Sequence, residues 1–282
     1  MRNLQVDRIQ HHFVETFGVT VAATVAPGAS GPVIEVAPAD LANNEGFAVS
    51  VRIGWRTIEV DFRPGRYAGD FIALLGRSAT ARRTALAFFE GINRSGGRLR
   101  LVINGVELNP LDVNAWPTVP WKNLEIRAWS HPLVPEELGQ QQIEREVMRW
   151  GGSVFGAILA LAGVDEAVES EEEWPSEPEG SRTTGLINRY ERSPVNRAAC
   201  IAALGATCRA CGFDFGAVYG DAAEGFIHVH HVTPVSQLGA GYRVDPVRDL
   251  VPVCPNCHAF IHLREPPYTV QEVRMILHAR RT

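Results

Sequence analysis

The chain has 282 residues, 45% of them hydrophobic and 21% charged, with a formal net charge of −5 and a mean hydropathy of −0.05. This is the composition of a folded globular protein and excludes disordered, collagen-like and membrane-embedded classes. At roughly one to two hundred residues per domain, the length predicts two domains, each able to bury a core.

The start, MRNLQVDRIQHHF, lacks the basic end and apolar run of a secretory signal, so a cytoplasmic chain is expected. The longest apolar run, Val154 to Leu161, falls short of the roughly 20 residues that cross a bilayer, and no membrane partner is expected.

Residues 1–163 read as α+β. The spacing of Leu4, Ile9, Phe13 and Phe17 predicts a helix, followed by a Pro/Gly/Ala-rich loop from Ala26 to Pro32. Strands are predicted at Phe47 to Ile53, Thr57 to Phe62, Leu99 to Ile103 and Leu124 to Trp129. Asn104-Gly105 predicts a type I′ hairpin turn, which needs positive φ at both central residues. Helices are predicted near Ala68 to Leu75 and Ser78 to Asn93, and a longer one from Pro135 to Ala162 with a bend at Gly151-Gly152.

Two features of this part admit a nucleic-acid role beside a bland one. Arg77, Arg82, Arg83, Arg94, Arg98 and Arg100 surround the single acid Glu90, either as a phosphate-contacting face or as a solvated surface. Trp116, Trp121 and Trp129, with Pro117 and Pro120, either line a pocket for a flipped base or form core. Ile143, Val147, Trp150, Val154, Ile158 and Leu161 make an apolar stripe, open either to burial in its own domain or to a two-fold contact in a homodimer.

Residues 164 to 180 hold eight acids and no base, more than the whole net charge, and read as a linker. The proposed division is 1–163, an acidic linker 164–182, and 183–282. Residues 181–282 carry 11 bases and 8 acids and are mildly basic. Among them, Pro194 to Leu204 reads as a helix with Ser193 as N-cap and Pro194 at the first helical position. A strand at Phe226 to Val232, a loop at Gly239 to Asp245 and a helix from Asn256 to Leu263 follow.

Cys208-x2-Cys211 and Cys254-x2-Cys257, 42 residues apart, have the spacing of two knuckles that supply four thiolates to a structural zinc. Cys200 reads as a small buried hydrophobe. Five of the nine histidines fall between His228 and His262. His258 and His262, at i and i+4, share one helix face and make a metal chelate. His230 and His231 are neighbours on a strand and point to opposite sides, so one can complete the chelate while the other handles a proton. His228 is read as a strand histidine outside the ligand set.

These segments, YERSPVNRAAC, CRACGFDF, IHVHHVTPVSQL and DLVPVCPNCHAFIH, resemble the HNH (ββα-metal) nucleases, most closely the zinc-clamped domains of restriction enzymes, including those directed at modified cytosine. The resemblance covers about Tyr190 to Leu263. It implies a small ββα-metal domain with a four-Cys zinc site, joined by the acidic linker to an N-terminal α+β domain of unassigned family. It further implies His230, His258 and His262 as ligands of a catalytic divalent metal (Mg, Mn, Ni, Co or Zn) and His231 as general base. Asp249 stands where the family has Asn, a residue that holds the loop and orients the base, and Asp accepts the same hydrogen bond. Asn256 is assigned to capping the helix after Cys254.

The implied function is metal-dependent hydrolysis of double-stranded DNA by a restriction enzyme whose N-terminal domain reads sequence or modification. Arg192, Arg197, Arg82 and Arg83 are the candidate DNA contacts. The competing reading is an effector nuclease of a toxin or phage-defence assembly, in which the N-terminal domain binds a protein partner.

Overall fold

Helix α1 (Val6–Phe17) opens the fold by burying Ile9, Phe13 and Phe17 on one face. Gly18 ends it in the left-handed region at φ 68°, where glycine carries no Cβ penalty. The computed structural model describes residues 4–29, 31–39, 45–134, 137–164, 193–233, 242–264 and 266–279. Nearly all of the acidic tract, Arg192 and the first part of the Gly239 to Asp245 loop lie outside them.

Strands β1 (Val21–Gly28) and β2 (Gly31–Pro38) pair antiparallel where the sequence predicts a loop. Pro27 and Pro32 face each other beside the hairpin turn. β1 is an edge strand, and the β2–β3 ladder begins only at Val33, so neither ring removes an interior ladder bond. The chain continues through β3 (Phe47–Ile53), β4 (Ile58–Pro64), α2 (Gly69–Leu74), α3 (Ala79–Arg94), β5 (Arg98–Ile103), β6 (Val106–Leu108), β7 (Leu124–Trp129) and α4 (Gln140–Leu161). The seven strands form one sheet in the order β1-β2-β3-β4-β7-β5-β6, antiparallel at every pairing. Asn104 at φ 54° and Gly105 at φ 78° make the predicted I′ turn between β5 and β6.

Alternation decides which sheet face is covered. Val49, Val51, Ile58, Val60, Ile126 and Ala128 join α1, α3 and α4 in the core. The other face carries Arg52, Glu59, Arg127 and the buried Asp61, whose carboxylate takes Arg127 at 2.5 Å and stands 3.8 Å from both Arg52 and Arg63.

α4 runs unbroken through Gly151-Gly152, contrary to the expected bend. The helix is buried there, and glycine lets neighbours approach its backbone: a Cβ on Gly151 would lie 2.8 Å from Val51. At Gly156 the added atom would lie 2.5 Å from Phe88 and 2.7 Å from Phe17. Gly156→Ala is therefore expected to destabilise by about 1–2 kcal/mol, overpacking outweighing a helix-propensity gain of about 1 kcal/mol. A lower urea midpoint with an unchanged m-value checks this.

The stripe Ile143, Val147, Trp150, Val154, Ile158 and Leu161 lies wholly inside this core, so the two-fold contact considered for it has no exposed surface to use. Trp116 and Trp121 are core as well, with their indole N–H groups donating to Asn109 O and Pro117 O. Only Trp129 reaches the outer sheet face, where Arg127 stands 5.9 Å from its ring centre. The three tryptophans do not share one pocket, but Trp121 and Pro120 line a cleft of about 820 Å³ with Asn104 and Lys122.

Helix α5 (Pro194–Leu204) is capped by the Ser193 hydroxyl, which accepts from Asn196 N at 3.0 Å. It has two buried faces. Val195, Ala198, Ala199 and Ala203 belong to the large core, and Cys200 packs with Val229 and Leu250 of the C-terminal module. Gly91 of α3 makes this approach feasible, since a Cβ there would meet Ala202 O at 2.6 Å. The module then adds α6 (Phe215–Tyr219), β8 (His228–His231), β9 (Leu250–Val253), α7 (Pro255–Ile261) and α8 (Val270–Ala279) around a small core of Ile227, Val253, Ile261 and Val273.

Candidate active site

Backbone bonds shape the thiol clamp. Cys208 N donates to Phe213 O and Gly212 N to Cys208 O, both at 2.9 Å, which folds the first knuckle. Arg209 N donates to Pro252 O at 2.9 Å and fixes that knuckle to β9. Cys254 caps α7 through its sulfur, which accepts from Cys257 N at 3.4 Å. This corrects the expectation for Asn256, which sits exposed inside the first turn.

The four sulfurs lie within 4.8 Å of one another, and Cys211 Sγ and Cys254 Sγ are 3.7 Å apart. A tetrahedron with metal–sulfur bonds of about 2.3 Å has an edge of about 3.8 Å, so the spacing suits a thiolate-bound zinc. Burial opposes ionisation of Cys208, yet backbone N–H donors bring its thiol down to about 7. Burial and the neighbouring sulfurs push Cys257 strongly upward. Thiols that cannot all ionise unaided are suited to a shared cation. Cys200 is outside this group: burial raises its thiol to about 12, in keeping with a small hydrophobe.

β8 and β9 pair with His228 opposite Val253, His230 opposite Val251 and His231 opposite Leu250. Alternation turns His228 and His230 toward α7, where the His230 ring lies 5.4 Å from His258 and 5.1 Å from His262. The imidazoles of His258 and His262 are 4.9 Å apart, one turn along the helix. One ligand nitrogen from each of His230, His258 and His262 falls within 4.8 Å of the others. Burial falls from His230 through His258 to the exposed His262, so the cluster opens to solvent on one side. His228 touches the rim at 5.3 Å from His258 and is not in the ligand set.

His231 points to the α5 side of the strand pair, with Leu250. Its neighbour Val232 donates to Asp249 O at 2.8 Å. The Asp249 carboxylate accepts from Asp245 N at 2.7 Å and from the Tyr242 hydroxyl at 2.9 Å, the bond that raises the Tyr242 phenol above its ordinary range. Asp249 thus ties the loop to the end of β8.

The three candidate arginines among the described residues make internal bonds. Arg82 donates to Gly76 O and Trp116 O, Arg83 pairs with Asp245 at 3.2 Å, and the half-buried Arg197 donates to Ile227 O at 2.9 Å. Arg77, Arg94 and Arg100 are also bonded within the fold, so the run from 77 to 100 is not one free basic face. A different arginine group escaped notice in the sequence because its members come from three segments. Arg209, Arg248 and Arg274 line a cleft of about 320 Å³ together with Val232, Leu250 and Val270. Arg209 and Arg274 each give one N–H to a backbone carbonyl, and Arg248 has no ion-pair partner among the described residues. The available signal was that Arg209 falls inside one motif segment and Arg248 immediately precedes another.

Residues 208–263 match the HNH endonuclease family. The strand–loop–helix with its thiol clamp is an HNH endonuclease domain at the C-terminal end of a larger α+β protein. The chain is also 34% identical over 91 residues to the type IV methyl-directed restriction enzyme EcoKMcrA of Escherichia coli (strain K12). That similarity covers 31% of this chain and 31% of the relative, so the chain matches about a third of the relative's length. No solved structure matches the chain. Among the described residues, no helix is long and apolar enough to cross a membrane.

Proposed function

We propose that this chain is a metal-dependent DNA endonuclease of restriction type, directed to modified DNA through residues 1–163. The observation that carries the reading is the convergence of His230, His258 and His262 within 4.8 Å beside the differently directed His231. Zinc is assigned to the four cysteines as a structural ion. At the imidazole cluster a divalent cation, Mn, Co, Ni or Zn in preference to the harder Mg, supplies charge neutralisation at the scissile phosphate.

His231, turned away from the ligand set, takes a proton from water, whose oxygen bonds to phosphorus as the P–O3′ bond opens in line. Asp249 and the Val232 amide hold the strand end from which the base projects. The cleft of Arg209, Arg248 and Arg274 lies one residue from His231 and contacts the adjoining phosphates. Arg248→Ala should weaken binding equally on all sequences and reduce the slope of log K against log salt by about one. An unchanged slope in a salt titration would remove Arg248 from the interface.

Direction to methylated DNA is supported by the likeness to a methyl-directed enzyme over the nuclease part. Digestion of modified and unmodified supercoiled plasmids across a metal series tests it. Nicking of modified plasmid alone is the expected result. Inactivity that a protein partner restores would instead support a defence assembly. One domain has one base, so a nicked intermediate should precede the linear product, and a double-strand break needs a second visit or a second copy. Light scattering with DNA distinguishes these.

A further inference from the structure

The two parts of the chain meet in a chain of short bonds that ends beside His231. Arg83 of α3 places Nε 3.2 Å from Asp245 Oδ2, and its Nη2 is 3.5 Å from Thr80 Oγ1. Asp245 is far less exposed than Arg83, and its other carboxylate oxygen accepts from Val247 N at 3.1 Å and Arg248 N at 3.3 Å. Its own N–H goes to the Asp249 carboxylate, and its carbonyl accepts from Asp249 N at 2.9 Å. Asp249 O then accepts from Val232 N, the residue after His231. A second strut runs alongside: Arg243 Nη1 donates at 2.6 Å to Ser78 Oγ, the hydroxyl that caps α3.

We propose that Arg83 and Asp245 are positioning residues, through which the N-terminal part of the chain sets the place of the base at the end of β8. The proposal rests on the nuclease reading above. It assigns Arg83 to the loop and away from the DNA phosphates. A half-exposed ion pair contributes little to folding stability, so the effect falls on geometry. Misplacing a reacting group by about 1 Å can cost up to about 10²-fold in rate, whereas loosening one of two struts should cost less.

The experiment uses the full chain with manganese and a supercoiled plasmid that the wild type nicks, under single-turnover conditions. Arg83→Ala and Asp245→Asn are each expected to slow nicking about tenfold with DNA affinity unchanged. The double variant should be no slower than the slower single one, because both remove the same link. Arg83→Lys should recover part of the rate. Asn at 245 keeps an oxygen for the Val247 and Arg248 amides, so folding is preserved. Amide hydrogen exchange at residues 231–232 and 245–249 should rise in Arg83→Ala, a readout that needs no cleavage. A wild type that cuts no plasmid would count against the nuclease reading, an active His231→Ala protein against His231 as its base, and either leaves the exchange data to judge the clasp. Weaker DNA binding and a smaller salt slope in Arg83→Ala, with Asp245→Asn silent, would make Arg83 a phosphate contact and overturn the proposal. Unchanged rates and exchange in both variants would overturn it too.

Discussion

His231→Ala should lower plasmid cleavage by about 10²- to 10⁴-fold, the usual contribution of a positioned general base. DNA and metal binding should survive, because the ligand cluster is built by His230, His258 and His262 and His231 lies on the opposite strand face. Truncation also leaves the ladder intact, since His231 pairs with Leu250 through the backbone. The informative comparison is His258→Ala, which should abolish both cleavage and binding of the exchangeable metal. Calorimetric titration with manganese separates the two variants. Undiminished nicking by a verified His231→Ala protein would remove the residue from the chemistry.

Cys208→Ser or Cys257→Ser should release the structural metal and unfold the C-terminal module. The module's own apolar core is small, and the clamp joins its first knuckle to the start of α7. Structural zinc contributes about 10–16 kcal/mol in comparable small folds, far more than so few buried side chains supply, so loss of one thiolate is decisive. Elemental analysis should find one zinc per chain after mild chelation of the wild type and none in the variants. The large core of the sheet should persist, giving a thermal transition that the substitutions leave in place. A folded module without zinc would remove the clamp from the account.

Local signals were the legible ones. Asn104-Gly105 specified its turn because few residues accept positive φ twice in succession. Ser193-Pro194 marked the start of α5 for an equally local reason, a hydroxyl cap and a ring with no N–H to lose. The Cys and His groups were legible because ligand geometry forces short, regular spacing. What stayed hidden was set by neighbours distant in sequence. Pro27 and Pro32 look like loop residues until β1 is known to be an edge. Gly151-Gly152 looks like a bend until Val51 is seen against Gly151. The arginine run from 77 to 100 looks basic until carbonyls and carboxylates from distant segments are set against it. Asn256 lost its cap because the capping position falls two residues earlier than expected, where the Cys254 sulfur accepts from Cys257 N.

Helix α5 carries one more consequence. The acidic tract leaves the end of α4 and the chain re-enters at α5, and both helices lie in the same hydrophobic core. The residues on either side of the tract are thus held together by that core, whatever the tract's length. The rigid connection between the sheet and the nuclease module is α5 itself, wedged between α3 and β8. If residues 1–163 read the DNA as proposed, shortening or lengthening the acidic tract should leave the distance from recognised base to cut unchanged, whereas a bulky residue at Gly91, where α3 meets Ala202, should move it.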